Sequence, residues 1–153
     1  MKTYKATLFV TIVSISALGF AAEKKIQRSD LPVAVEKALQ QQLNGATIKG
    51  FSTEKEKSHT FYEAELIVDG HAKDILFDPN GNVQEVEEEV VFETLSAEVK
   101  TGIMAKAKGG TVKMVESLRK QDKLVAYEAQ IDKDGKHFEV QVGPSGEKLH
   151  HEE

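Results

Sequence analysis

Three features of this sequence predict an α+β fold, an antiparallel sheet with helices packed on one face. A helical apolar stripe precedes a group of β-rich segments, and the same order returns about 65 residues later. Each group is punctuated by Asp-Gly and Pro-x-Gly turn signals between alternating segments. The prediction is two tandem α-β-β-β units.

In the first unit Leu31, Val35, Leu39 and Leu43 recur every fourth residue with Ala34 and Ala38 alongside, one apolar stripe of a helix. Ser29 or Asp30 is its candidate cap, Pro32 fits the first turn, and Asn44-Gly45 ends it. Strands are expected over 47–54, 61–68 and 73–77, with a last extended piece at 83–86. Asp69-Gly70 suits a tight hairpin because both central residues need positive φ.

The second unit repeats the stripe as Leu95, Val99, Ile103 and Ala107, with Ser96 as cap and Gly109-Gly110 as stop. Gly102 inside this helix is expected to weaken it by ~1 kcal/mol relative to Ala. Strands follow over 111–118, 124–132 and 136–142, with turns at Asp134-Gly135 and Pro144-Ser145-Gly146.

Residues 62–83 and 127–148 align without gaps at an offset of 65, with seven identities in 22 positions. The identities include Tyr62/Tyr127, Gly70/Gly135 and Gly81/Gly146. The helices align at an offset of 64, so one extra residue should be absorbed by the hairpin between the first and second strands. The expected division is residues 22–89 for the first unit and 90–153 for the second, which ends in a short polar tail. Strand alternation turns Tyr62, Ala64, Leu66, Val68, Ile75 and Phe77 toward the helices, with Tyr127, Ala129, Ile131, Phe138, Val140 and Val142 as their counterparts. Opposite them stand Glu63, Glu65, Asp74, Glu128, Gln130, His137, Glu139 and Gln141. That face is expected to be solvated and acidic. Glu85, Glu87, Glu88, Glu89 and Glu93 read as a charged linker between the units.

Residues 1–21 read as a secretory signal peptide. Lys2 and Lys5 precede an uncharged run from Leu8 to Phe20, and Gly19 and Ala21 supply small residues before a cut that leaves Ala22 first. The run is shorter than the roughly 20 residues that span a bilayer. No membrane span is expected after signal removal, and the product is expected to be exported, periplasmic or secreted.

Composition narrows the chemistry. The absence of Cys excludes disulfides, thiolate metal sites and a Cys nucleophile. The formal charge of −5 argues against nucleic acid as a partner. Asp132-Lys133-Asp134-Gly135 opens like a calcium loop, but the closing twelfth position falls on Gly143, so it reads as a hairpin turn. His137 and Glu139 share a strand face, and His150-His151 lie near the end of the chain, without the second shell that fixes metal ligands. Neither a phosphate loop nor a nucleophile elbow is present. No catalytic residue, cofactor or metal site is expected.

LPVAVEKAL followed by YEAELIVDGHAKDILFDPNG resembles the PepSY family, and most closely its PepSY-like branch, which is similar to beta-lactamase inhibitor proteins. The resemblance covers nearly all of residues 29–149 as two copies, although in the second Ser96 replaces the Pro. It implies an exported, non-catalytic module that binds or inhibits another protein. The residues expected to meet a basic patch on such a partner are Glu63, Glu65, Asp74, Glu128 and Glu139, through charge steering. The alternative is a small-ligand or metal-binding envelope protein using His137 and neighbouring carboxylates.

Overall fold

The computed structural model describes residues 21–56 and 58–150. The expected signal peptide, apart from Ala21, and residues 151–153 of the expected polar tail lie outside them. Eight strands form one antiparallel sheet whose spatial order is the chain order. They are β1 Ala21–Lys25, β2 Ala46–Glu56, β3 His59–Val68, β4 His71–Phe77, β5 Val83–Glu89, β6 Thr111–Lys120, β7 Lys123–Lys133 and β8 Lys136–Val142. The helices, α1 Val33–Gln40 and α2 Ala97–Ala107, occupy the connections β1–β2 and β5–β6. Among the described residues no helix is long and apolar enough to cross a membrane.

Each helix covers its own apolar cluster on one face of the sheet. Val35 and Leu39 of α1 pack on Phe51, Ala64, Leu66, Ile75 and Phe77, with Tyr62 at the margin. Val99, Ile103 and Ala107 of α2 pack on Val115, Ala129, Ile131, Val140 and Val142, with Tyr127 at the margin. The inward-facing residues expected from alternation thus lie under the helices.

The local chemistry of the two helices differs from expectation in instructive ways. Neither Ser29 nor Asp30 caps α1. Residues Arg28–Asp30 form a 3-10 turn, Asp30 accepts from the Gln27 backbone at 2.9 Å, and Pro32 itself is the cap residue. The helix stops at Gln40, and Leu43 reaches the core from the loop that follows. Ser96 does cap α2, its Oγ accepting from Val99 N at 3.2 Å, and Lys108 ends that helix at φ 52°. The helix runs through Gly102, and a Cβ there would overlap the carbonyl of Gly146.

Two further expectations are corrected. The acidic segment after Val83 is not a linker, because β5 pairs with β4 on one side and β6 on the other and joins both halves into one sheet. Nor does a hairpin absorb the extra residue. Glu56 pairs with His59 and Lys120 with Lys123, so both loops are the same length. Instead, Leu118 pairs with Ala126 and Arg119 with Leu124, which leaves Val125 as a bulge on β7. A second bulge leaves Lys49 unpaired on β2, and its counterpart leaves Lys113 unpaired on β6. Both Asp-Gly hairpins have the expected positive φ values, 51° and 89° at Asp69-Gly70 and 53° and 74° at Asp134-Gly135.

Candidate functional site

Because side chains alternate along a strand, the helix-free face receives every second residue, and here many of these residues are acids. Directly paired strand positions share a face. Glu65 therefore stands beside Asp74, Asp74 beside Glu87, and Glu87 beside Leu118. A second row runs Ser52, Glu63, Leu76, Glu85 and Lys120. A third runs Glu116, Glu128 and Gln141.

The sequence placed Glu63, Glu65, Asp74, Glu128 and Glu139 on this face, and the register brings them there. It does not leave them solvated. Glu63 is 8% exposed, Asp74 7% and Glu128 7%, while Glu65 and Glu139 are half-buried. Flanking strands shield each carboxylate with its neighbours, and Leu118 and Ala126 are fully buried among them. The expectation of a solvated face is therefore wrong for Glu63, Asp74 and Glu128.

Two of the buried acids have a dedicated donor. Ser52 Oγ donates to Glu63 Oε2 at 2.6 Å, and Gln141 Nε2 donates to Glu128 Oε2 at 2.6 Å. Burial pushes Glu63 up to about 8 despite the Ser52 hydrogen bond, and Asp74 and Glu54 add to the rise. Asp74 is raised to about 7 by burial and by nearby Glu65 and Glu23. Glu116 is raised to about 8 by burial and then by Asp74, Glu128, Glu139 and Glu89. Burial raises Glu87 as well, and repulsion from Glu85 and Glu116 adds to the rise. The common cause is desolvation of charge among like charges.

Asp74, Glu87 and Glu116 converge. One carboxylate oxygen from each lies within 4.8 Å of the other two. Among the described residues Glu116 Oε1 has no hydrogen-bond partner, although Glu116 is only 2% exposed. The sequence reading missed both Glu87 and Glu116. Glu87 was hidden in the supposed linker, whose signal was the strand-like spacing of Val86 and Val90 among the acids. Glu116 was findable as the residue between the inward Val115 and Ser117, at the position Ser52 holds in the first half.

The histidines lie apart from this cluster. His137 is 78% exposed in its side chain, with Nδ1 3.8 Å from Asp132 Oδ2. His71 faces Glu89 at 3.6 Å. His150 is exposed and His151 lies outside the described residues.

No protein-family model and no curated protein matches this sequence. Solved structures do. A protein from Bacteroides eggerthii described as periplasmic superposes with a TM-score of 0.61 at 19% identity, over 76% of this chain and 84% of that one. A BLIP-like protein from Bacteroides fragilis superposes with a TM-score of 0.56 at 25% identity, over 78% and 84%. A DUF2874 family protein from Bacteroides uniformis does so with a TM-score of 0.59 at 18% identity, over 76% and 84%. The chain thus shares a BLIP-like α+β fold.

Proposed function

We propose that this chain is an exported, non-catalytic protein-binding module of the inhibitor-like kind, acting in the periplasm or outside the cell. Its two halves, residues 22–89 and 90–153, are read as tandem PepSY-like units. One observation carries the reading: the helix-free face of the eight-stranded sheet bears rows of acidic side chains, two of them held by cross-strand hydrogen bonds from Ser52 to Glu63 and from Gln141 to Glu128. Similarity to a BLIP-like protein and to a protein described as periplasmic supports it. The partner presents a basic patch, and the half-buried Glu65 and Glu139 supply the acids accessible for steering it.

The test is capture of partners from an envelope extract with the full chain as bait. Association rates with a captured partner are then measured across ionic strength. Glu65→Lys with Glu139→Lys should slow association and flatten its salt dependence. A rate indifferent to salt and to both changes removes the steering role of these acids. Catalytic turnover by the purified chain removes the reading as a whole.

A further inference from the structure

We propose that Asp74, Glu87 and Glu116 form a binding site for an oxygen-preferring divalent cation of calcium's size, held by three adjacent strands on the helix-free face. Asp74 on β4 is directly opposite Glu87 on β5. Glu116 lies on the next strand, paired with Glu89 and hence diagonal to Glu87. The three donors therefore come from neighbouring positions of one hydrogen-bonded sheet, which fixes their spacing before any ion arrives.

The donor set favours one kind of ion. An oxygen from each residue lies within 4.8 Å of the other two. Calcium takes about 6–8 oxygen ligands at about 2.3–2.6 Å in flexible geometry, which suits three carboxylates from three strands. Magnesium, at about 2.0–2.1 Å, demands a near-ideal octahedron, keeps several waters and is usually held by only one or two carboxylates. An all-carboxylate set without imidazole or thiolate does not favour zinc or copper.

The second observation is Glu116 itself. It is 2% exposed, and its Oε1 has no hydrogen-bond partner among the described residues. A buried polar atom without a partner requires an explanation, and a coordinated cation provides one. Lys120, on the same face, is engaged with Glu85 at 3.7 Å. Glu65, Glu85, Glu89, Glu128 and Glu139 also surround the cluster electrostatically and add to its negative field. Burial, and after it this repulsion, raises the affinity of the carboxylates for protons, so a cation must displace protons to bind.

The experiment is calorimetric titration of the full chain, stripped with chelator, with CaCl2, MgCl2 and ZnCl2 at neutral pH. The expected result is one saturable calcium site with a Kd at or below about 1 mM, the weak end for extracellular modules. Its heat should differ between buffers of different ionisation enthalpy as protons leave. Glu116→Gln should weaken calcium binding on the order of 10-fold or more while leaving the metal-free melting temperature unchanged or higher. Asp74→Asn and Glu87→Gln should do the same, so failure of one variant to fold leaves two others. His137→Ala should bind as the parent does. Absence of saturable calcium binding overturns the proposal. So does calcium binding unaffected by all three substitutions, a preference for magnesium, or zinc binding lost with His137→Ala.

Discussion

Gly146 lies against the backbone of Glu98 in the first turn of α2, so closely that a Cβ on it would overlap the Glu98 carbonyl. The other half repeats the relationship: a Cβ on Gly81 would lie 2.5 Å from the carbonyl of Ala34 in α1. Both glycines have positive φ, 77° and 82°, and both close turns with matching hydrogen bonds, Gly81 N to Asp78 O at 2.9 Å and Gly146 N to Gly143 O at 2.8 Å. Each helix is therefore clamped by a turn that no side chain can enter.

Gly81→Ala and Gly146→Ala should each lower stability by about 2–4 kcal/mol, since strain at positive φ adds to overlap with rigid backbone. Gly45→Ala is the control, with a φ of 73° but nothing within 4 Å of its Cβ, and should lower stability by only about 1 kcal/mol. Chemical denaturation of the three variants measures the difference.

Gly102→Ala sets two principles against each other. Helix propensity alone predicts a gain of about 1 kcal/mol. The carbonyl of Gly146 occupies the space the new methyl would need, which predicts a net loss. A lowered melting temperature is the expected outcome, and a raised one would mean that the turn can move away.

Tyr62→Ala and Tyr127→Ala should each destabilise by about 2–4 kcal/mol, below the ~3–5 kcal/mol of a fully buried aromatic, because each ring lies at the margin of its cluster. Phe77→Ala, at 0% exposure, should reach that upper range. Thermal melts of the three variants report the ranking.

These positions also show where the sequence was legible. Apolar alternation, the two Asp-Gly hairpins and the Ser96 cap act over a few residues, so the strands and inner face could be read from spacing. Val125 could not be, because a bulge depends on which residue of β6 stops pairing, and that is decided across strands. Burial of Glu63, Asp74 and Glu128 was invisible for the same reason: alternation assigns a face, whereas exposure depends on what the neighbouring strands place beside each acid. The convergence of Asp74, Glu87 and Glu116 required β5 to be a strand, and its run of glutamates obscured that.

Stability should fall as pH rises. Unfolded, Glu63 loses its proton near its ordinary value of 4.5, whereas in the fold it does so at about 8. Between those values the folded chain holds a proton that the unfolded chain has released, so stability complete below 4.5 is lost by the time pH passes 8. In chelator, the melting temperature should drop from pH 5 to pH 8.5, and Glu63→Gln should make the drop shallower. Ser52→Ala should steepen it, because its hydroxyl hydrogen bond favours the ionised form of Glu63. A flat profile in the parent protein would contradict the assignment.

Export is tested by mass. Protein recovered from the envelope or medium should begin at Ala22, one residue into β1. Recovery of chains beginning at Met1 would contradict the signal-peptide reading.

The sheet's order has a kinetic consequence. Every strand pairs only with strands adjacent in the chain, so no pairing must wait for a distant segment. The hairpins β2–β3, β3–β4, β4–β5, β6–β7 and β7–β8 can zip locally. Only the β1–β2 and β5–β6 pairings require a helix-containing loop to close first. Since α1 and α2 seal different apolar clusters, the two ends of the sheet can open separately. Native-state amide exchange should accordingly resolve two cooperative blocks that meet at the seam between β5 and β6.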